Sequence, residues 1–473
     1  MNRLTTHLLP LLAFMGFMAS EVCAENLFAP LNRVYDVDAT SNSFSVSREG
    51  TGAMNTNLLA SIFNPRRSGV SQVPLQMLDG SQSTLQLRHQ DGNNVDGIQI
   101  VSGMVDGEKR NMATLINDHN GLRGRIWKDG RLYRLEGDQS GKYSLAEINI
   151  ASMTNTRDTI GLDESDLHQK NNQQRMASQE TLPPEDEPID LLLFVTTKAI
   201  KDLGGKEKAL SEMKLLIAET NNIYGRSGVT KGTMFRSVGI VPLPWKESGN
   251  ARHDITTRRS RKAILSIRNE LGADLVAFIT SPNEYGGLCG MGFIGPDVEN
   301  REAFPELGFS ISVLPCILTN MVFPHELGHN LGAWHDRHVD PRKGDNHGYV
   351  NLEKEWHTVM AYPHQCMEKL KKKCLDLPFF SNPRMQYKND PIGITAGQDN
   401  SADNVTAIKR NKRIVASYRP RADGASASTS TKSGSRSPVS NDGRKVGGII
   451  LEPANQSQQQ TKPRDGKERV IKW

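Results

Sequence analysis

Beyond its first residues the chain has no apolar run approaching the roughly 20 residues that a membrane-spanning helix needs. No transmembrane segment is therefore expected. An excess of one charge is also missing. Lysine plus arginine less aspartate plus glutamate gives 58 − 53 = +5, and residues 421–473 alone hold ten basic and five acidic residues. The remainder is balanced, which argues against a nucleic-acid partner. Cysteine is absent between Cys23 and Cys289. No thiolate from residues 24–288 can hold a metal, and four cysteines remain beyond them: Cys289, Cys316, Cys366 and Cys374.

The amino terminus reads as an export signal. Arg3 supplies the charge, residues 8–18 the apolar core, and Val22, Cys23 and Ala24 a small-residue cleavage site before Glu25. A lipoprotein cysteine at Cys23 is the competing reading, and Glu21 and Val22 suit it poorly. Exported proteins form disulfides, so the four remaining cysteines suggest two bridges, with three pairings open. Cysteine ligation of a metal is the rival reading.

Removal of residues 1–24 leaves 473 − 24 = 449 residues, more than one ordinary core, so two domains are expected. Residues 25–165 contain short alternating runs. Trp127 and Lys128, then Asp129-Gly130, then Arg131 and Leu132 form a hairpin signal. Residues 71–145 read as a small, mostly β domain, placed where a propeptide would stand. Residues 166–188 are a polar, proline-containing linker, and a processing cut is expected there. The domain plan is thus 1–24 signal, 25–187 propeptide domain and linker, 188–420 catalytic domain, and 421–473 a disordered basic tail rich in Ser and Gln.

In the third segment, residues 189–196 are apolar enough for a buried strand. Helices are expected over 206–224 and 258–271, strands over 229–242, 274–280 and 309–314, and a closing helix over 403–418. Strands alternating with helices indicate an α/β sheet.

Seven of the twelve histidines lie between His325 and His364. His325 and His329, four apart, share one helix face, and their ring nitrogens can meet one zinc ion at about 2.0–2.1 Å. Glu326, on the flank of that face, is placed to take a proton from water rather than to ligate. A helix continued to His335 would turn roughly 600° and point that ring away. Gly332 supplies the break, since glycine turns left-handed and can send the chain back. Three histidines plus water make an open, catalytic zinc site. A buried helix with incidental histidines is the competing reading. Pro324 restricts the helix start to its first turn, near residues 320–322, with Asn320 or Thr319 as cap. A calcium site among Asp340 to Asp345 would suit an oxygen-ligated ion, on a weak signal.

The string from His325 to Asp336 resembles the metzincin zinc-peptidase signature. Thr358-Val359-Met360-Ala361-Tyr362 resembles the methionine turn of that group. Asp336 is similar to the reprolysin (adamalysin) branch, and residues 380–383, Gly393 and residues 402–404 resemble bacterial peptidyl-Asp metalloendopeptidases. The resemblance spans about residues 188–420. It implies a twisted mixed sheet with an active-site helix, and one catalytic zinc. It further implies Met360 packed beneath the ion and Tyr362 as a phenol that stabilises the oxyanion. By the same resemblance, Gly287, Leu288, Cys289 and Gly290 lie on an edge strand that takes substrate as an added strand, its glycines allowing close approach. Pairing Cys289–Cys316 and Cys366–Cys374 also follows from it. The expected activity is a secreted endopeptidase acting on proteins or peptides, with a preference for acidic residues at the cut. A zinc amidase on cell-wall peptides and a non-catalytic, toxin-like binding protein are the alternatives, and the sequence leaves the oligomeric state open.

Overall fold

The computed structural model describes residues 27–37, 46–66, 69–90, 98–148, 159–160, 182–281, 285, 287–296 and 304–422. The expected signal at 1–24, most of the linker, Gly286 and the tail from 423 lie outside the described residues.

Nine antiparallel strands between Arg33 and Ile148 form one sheet. Two of its hairpins turn on Asp106-Gly107 and Asp129-Gly130, with positive φ at both residues of each pair. That backbone suits the right-handed twist of the flanking strands, and Asp-Gly adopts it readily. The sheet is larger than the expected 71–145, and it does not keep its core to itself. Along Gly121–Lys128 the side chains alternate between two covered faces. Leu122 and Ile126 join Leu115, Leu135 and Phe63 in the sheet's own cluster. Arg123, Arg125 and Trp127 face the other way, onto the long helix Lys206–Arg226.

There the Arg125 guanidinium donates to Glu219 Oε2 at 2.7 Å and to Glu212 Oε1 at 3.0 Å, and Trp127 Nε1 donates to Glu219 Oε1 at 2.6 Å. Burial alone would push the Glu212 carboxyl up, but Arg134, Arg125 and Arg123 outweigh it and hold the group below its ordinary range. Around this polar centre, Ile98, Ile100 and Ile116 pack on Leu215 and Ala218, while Trp127 and Met112 join the main catalytic core.

The second sheet runs in the order Thr159–Ile160, Gly290–Phe293, Phe309–Val313, Leu275–Thr280, Ile189–Thr196, Phe235–Leu243. Its pairs are parallel except that between Gly290–Phe293 and Phe309–Val313. Every residue of Ile189–Thr196 is buried, which accounts for its unbroken apolar run. The strand expected from 229 starts only at Phe235. The single helix expected over 258–271 is two helices, Ala251–Arg259 and Lys262–Glu270, because Arg261 takes an extended conformation between them. The break lets Arg258 and Arg259 lie over the rings of Trp245 and Phe293, at 4.5 and 4.8 Å. Asn404–Val415 closes the chain, capped by Asp403, whose side chain accepts from Thr406 N.

Candidate active site

The site helix is Val322–Asn330, and all nine of its residues are buried. Its start falls where Pro324 requires, in the first turn. The capping residue is Met321, while the Asn320 side chain, one residue earlier, accepts from Val322 N at 2.9 Å. Tyr224, on the long helix, donates its hydroxyl to the Pro324 carbonyl at 3.0 Å and so anchors this end.

At the other end Gly332 has φ +79°. Gly332 N bonds His329 O at 2.9 Å and Ala333 N bonds Gly328 O at 3.0 Å, the paired closure of a left-handed helix end. The reversal brings His335 back: its Nε2 lies 3.1 Å from His325 Nε2 and 3.0 Å from His329 Nε2. His325 donates Nδ1–H to the Val359 carbonyl and His329 donates Nδ1–H to the Ala333 carbonyl, both at 2.8 Å. With Nδ1 so engaged, both rings turn Nε2 towards Nε2 of His335, and three imidazole nitrogens converging on one point suit a single cation. Tetrahedral ligands at 2.0–2.1 Å stand roughly 3.3 Å apart, close to the spacing seen. Among the described residues this triad is the one group of three or more candidate ligands gathered within 4.8 Å. Asp340 is engaged by the Arg342 guanidinium at 2.5 Å.

Several contacts hold the triad. Met360 is fully buried, its sulfur seated where a Cβ on Gly328 would lie. Asp336 ties the third histidine's segment to the methionine turn, with Oδ2 accepting from Tyr362 N at 2.9 Å and Oδ1 from His338 N at 3.1 Å. The Tyr362 ring lies 4.6 Å from that of His335 and 5.9 Å from that of His325. Glu326 is wholly buried, with its carboxylate against the backbone of Gly290: a Cβ there would come within 2.4 Å of Oε1. A side chain at Gly290 would therefore meet the site helix beneath the edge strand. The outer edge of that strand carries a segment of the same chain, with Thr159 and Ile160 pairing parallel to Gly292 and Phe293. Gly287, Leu288 and Cys289 precede the regular strand, and Cys289 is bridged to Cys316 at the foot of the site helix. Cys366 and Cys374 form the second bridge.

Four asparagines to which the sequence reading gave no role fix the returning segment. Asn330 donates to Phe293 O and Phe309 O, Asn346 to Gly332 O, Asn404 to Asn346 O, and Asn411 to Leu331 O and Pro296 O. Such side-chain-to-backbone bonds carry no sequence period. Only residues 402–404, quoted for their resemblance, hinted at Asn404.

A buried helix presenting two imidazoles, a glycine reversal presenting a third, a carboxylate beside them and a methionine turn beneath define a metallopeptidase. Residues 210–336 match the family described as metallo-peptidase family M12B, reprolysin-like. The chain thus carries a reprolysin-like metallopeptidase domain and is homologous to bacterial peptidyl-Asp metalloendopeptidases. It is 28% identical over 321 residues to the peptidyl-Asp metalloendopeptidase of Stenotrophomonas maltophilia, a match covering 65% of this chain and 71% of that one. With the enzyme of the same name from Xanthomonas campestris it shares 25% over 320 residues, 65% and 70% of the two chains. A metalloproteinase-II structure from Bacteroides fragilis aligns over 59% of this chain and 85% of its own, at 13% identity and a TM-score of 0.39. The protein is a metalloendopeptidase, a hydrolase of proteins or peptides. Zinc is the metal of this family, and the triad fits it. No helix among the described residues is long and apolar enough to cross a membrane.

Proposed function

We propose that the chain is an exported zinc endopeptidase that cuts proteins beside acidic residues. The observation that carries this reading is the meeting of three imidazole nitrogens next to the buried carboxylate of Glu326. His325, His329 and His335 would hold the ion, which would supply Lewis acidity at the scissile carbonyl. Glu326 takes the proton from the attacking water and delivers it to the leaving amine nitrogen. The Tyr362 hydroxyl donates to the oxyanion of the tetrahedral intermediate. Gly332, Asp336 and Met360 keep the rings in place, and the segment from Gly287 to Gly290 guides an extended substrate.

The names of the relatives support the acidic preference. The reading of residues 1–24 supports export. Residues 25–187 act as a propeptide released by a cut within about residues 165–192, and the parallel pairing of Thr159–Ile160 on the edge strand supports that role, since it occupies the side where a substrate strand adds.

The test is Glu326→Gln. The variant retains zinc at one ion per chain, and hydrolysis of casein falls by about 10²–10⁴-fold, the usual contribution of a general base. Undiminished turnover with zinc bound overturns the role.

A further inference from the structure

A cavity of about 270 Å³ opens beside the triad, lined by His338, Val339, Tyr362 and His364. Two of its walls are fixed to the third imidazole by one buried group. Asp336, which follows His335, accepts the backbone N–H of both His338 and Tyr362. The His364 ring lies 5.2 Å from that of Tyr362, which in turn lies 4.6 Å from that of His335. The cavity is therefore built into the same rigid unit as the reaction centre.

Its chemistry suits a short anion. The lining holds two imidazoles, a phenol and one valine, and it holds no carboxylate. One imidazole already has such a guest: His338 Nε2 meets Glu368 Oε2 at 3.1 Å. An Nε2 facing a carboxylate oxygen at that distance presents its N–H, whether the ring is neutral or charged. Glu368 reaches in from the rim with its side chain 63% exposed, and exposed ion pairs of this kind contribute little, so a substrate group can displace it.

We propose that this cavity receives the acidic side chain of the substrate, with His338 and His364 as specificity-determining residues and Glu368 as an internal competitor. This rests on the reading of the chain as an endopeptidase with acidic preference and names the residues behind it. Two donors on a carboxylate, removed together, account for at least a tenfold preference, about what charge-assisted hydrogen bonds supply.

The experiment measures kcat/KM of the active, zinc-loaded enzyme on paired peptides that differ only by Asp or Asn beside the scissile bond. The wild type prefers the Asp peptide by about tenfold or more. In His338→Gln/His364→Gln the ratio falls towards one, through loss on the Asp peptide alone, with zinc content and melting temperature kept. Lysine in place of glutamine at residue 364 restores the preference by returning a donor to the cavity. Glu368→Gln raises it, because the competing anion is gone. A ratio unchanged in the double variant, or lowered in Glu368→Gln, overturns the assignment and leaves the acidic preference standing. A wild type indifferent to Asp over Asn overturns both.

Discussion

Replacing Gly332 by alanine tests whether a single backbone reversal assembles the metal site. Two costs can be worked out from the geometry. At φ +79° an L-residue pays roughly 1–2 kcal/mol for left-handed backbone. The new Cβ would also lie 2.0 Å from the Pro296 carbonyl oxygen and 2.5 Å from Asn411 Nδ2. A carbonyl oxygen held in a packed backbone cannot yield by rotation, so the turn itself must shift, bringing the total to roughly 3 kcal/mol. Any shift moves His335 relative to His325 and His329, and a misplacement of about 1 Å costs on the order of 10²-fold in rate. Gly332→Ala is expected to lose zinc to a chelator that the wild type withstands, to unfold at lower urea, and to cut casein about 100-fold more slowly. Gly332→Asn separates the two costs, because asparagine tolerates left-handed backbone but brings the same Cβ. It should fare nearly as badly. Wild-type zinc retention and urea midpoint in Gly332→Ala would refute the claim that this turn gathers the ligands.

Two further outcomes follow from buried charge. Arg125→Met leaves Glu219 buried without its guanidinium and should lower stability by roughly 3 kcal/mol in urea unfolding, with Arg125→Met/Glu219→Gln recovering part of the loss. No recovery in the double variant would deny the pairing. His357 and Asp376, 2.7 Å apart and buried, form the other case. Burial opposes both charges, but each partner's charge prevails, with Lys373 assisting on Asp376; His357 is held above its ordinary range and Asp376 well below. The Asp376 contribution is present above its unfolded value of about 3.9 and lost as pH falls through the folded one. That of His357 is present below about 6.5 and lost as pH rises through its raised folded value. The stability lost in His357→Gln should therefore be larger at pH 5.5 than at pH 9; equal losses at both would contradict the sign.

The site was legible in the sequence where its physics is local. The four-residue spacing of His325 and His329, the reversal at Gly332 and the placing of Pro324 in the first turn are consequences of helix geometry, which the chain states directly. The Asp129-Gly130 hairpin and the buried strand Ile189–Thr196 were readable for the same reason. What escaped depends on distant partners. The alternation through Arg123, Arg125 and Trp127 reveals two faces but not that both are covered, since Glu212 and Glu219 arrive from another element. The break at Arg261, with Arg258 and Arg259 lying over the rings of Trp245 and Phe293, involves partners that meet only in the fold. The packing of Gly290 against the carboxylate of Glu326 was hidden in the same way, since the two lie thirty-six positions apart.

The polar middle of the contact between the first sheet and the long helix bears on what a cut in the linker could do. Had that contact been apolar throughout, parting would bare a sticky surface on both halves and invite clumping. As built, the helix would show water Glu212 and Glu219 beside Leu215 and Ala218, and the sheet would show Arg123 and Arg125 among Ile98, Ile100, Ile116, Met112 and Trp127. After parting, opposite charge on the two faces would draw them back together at low salt more strongly than at high.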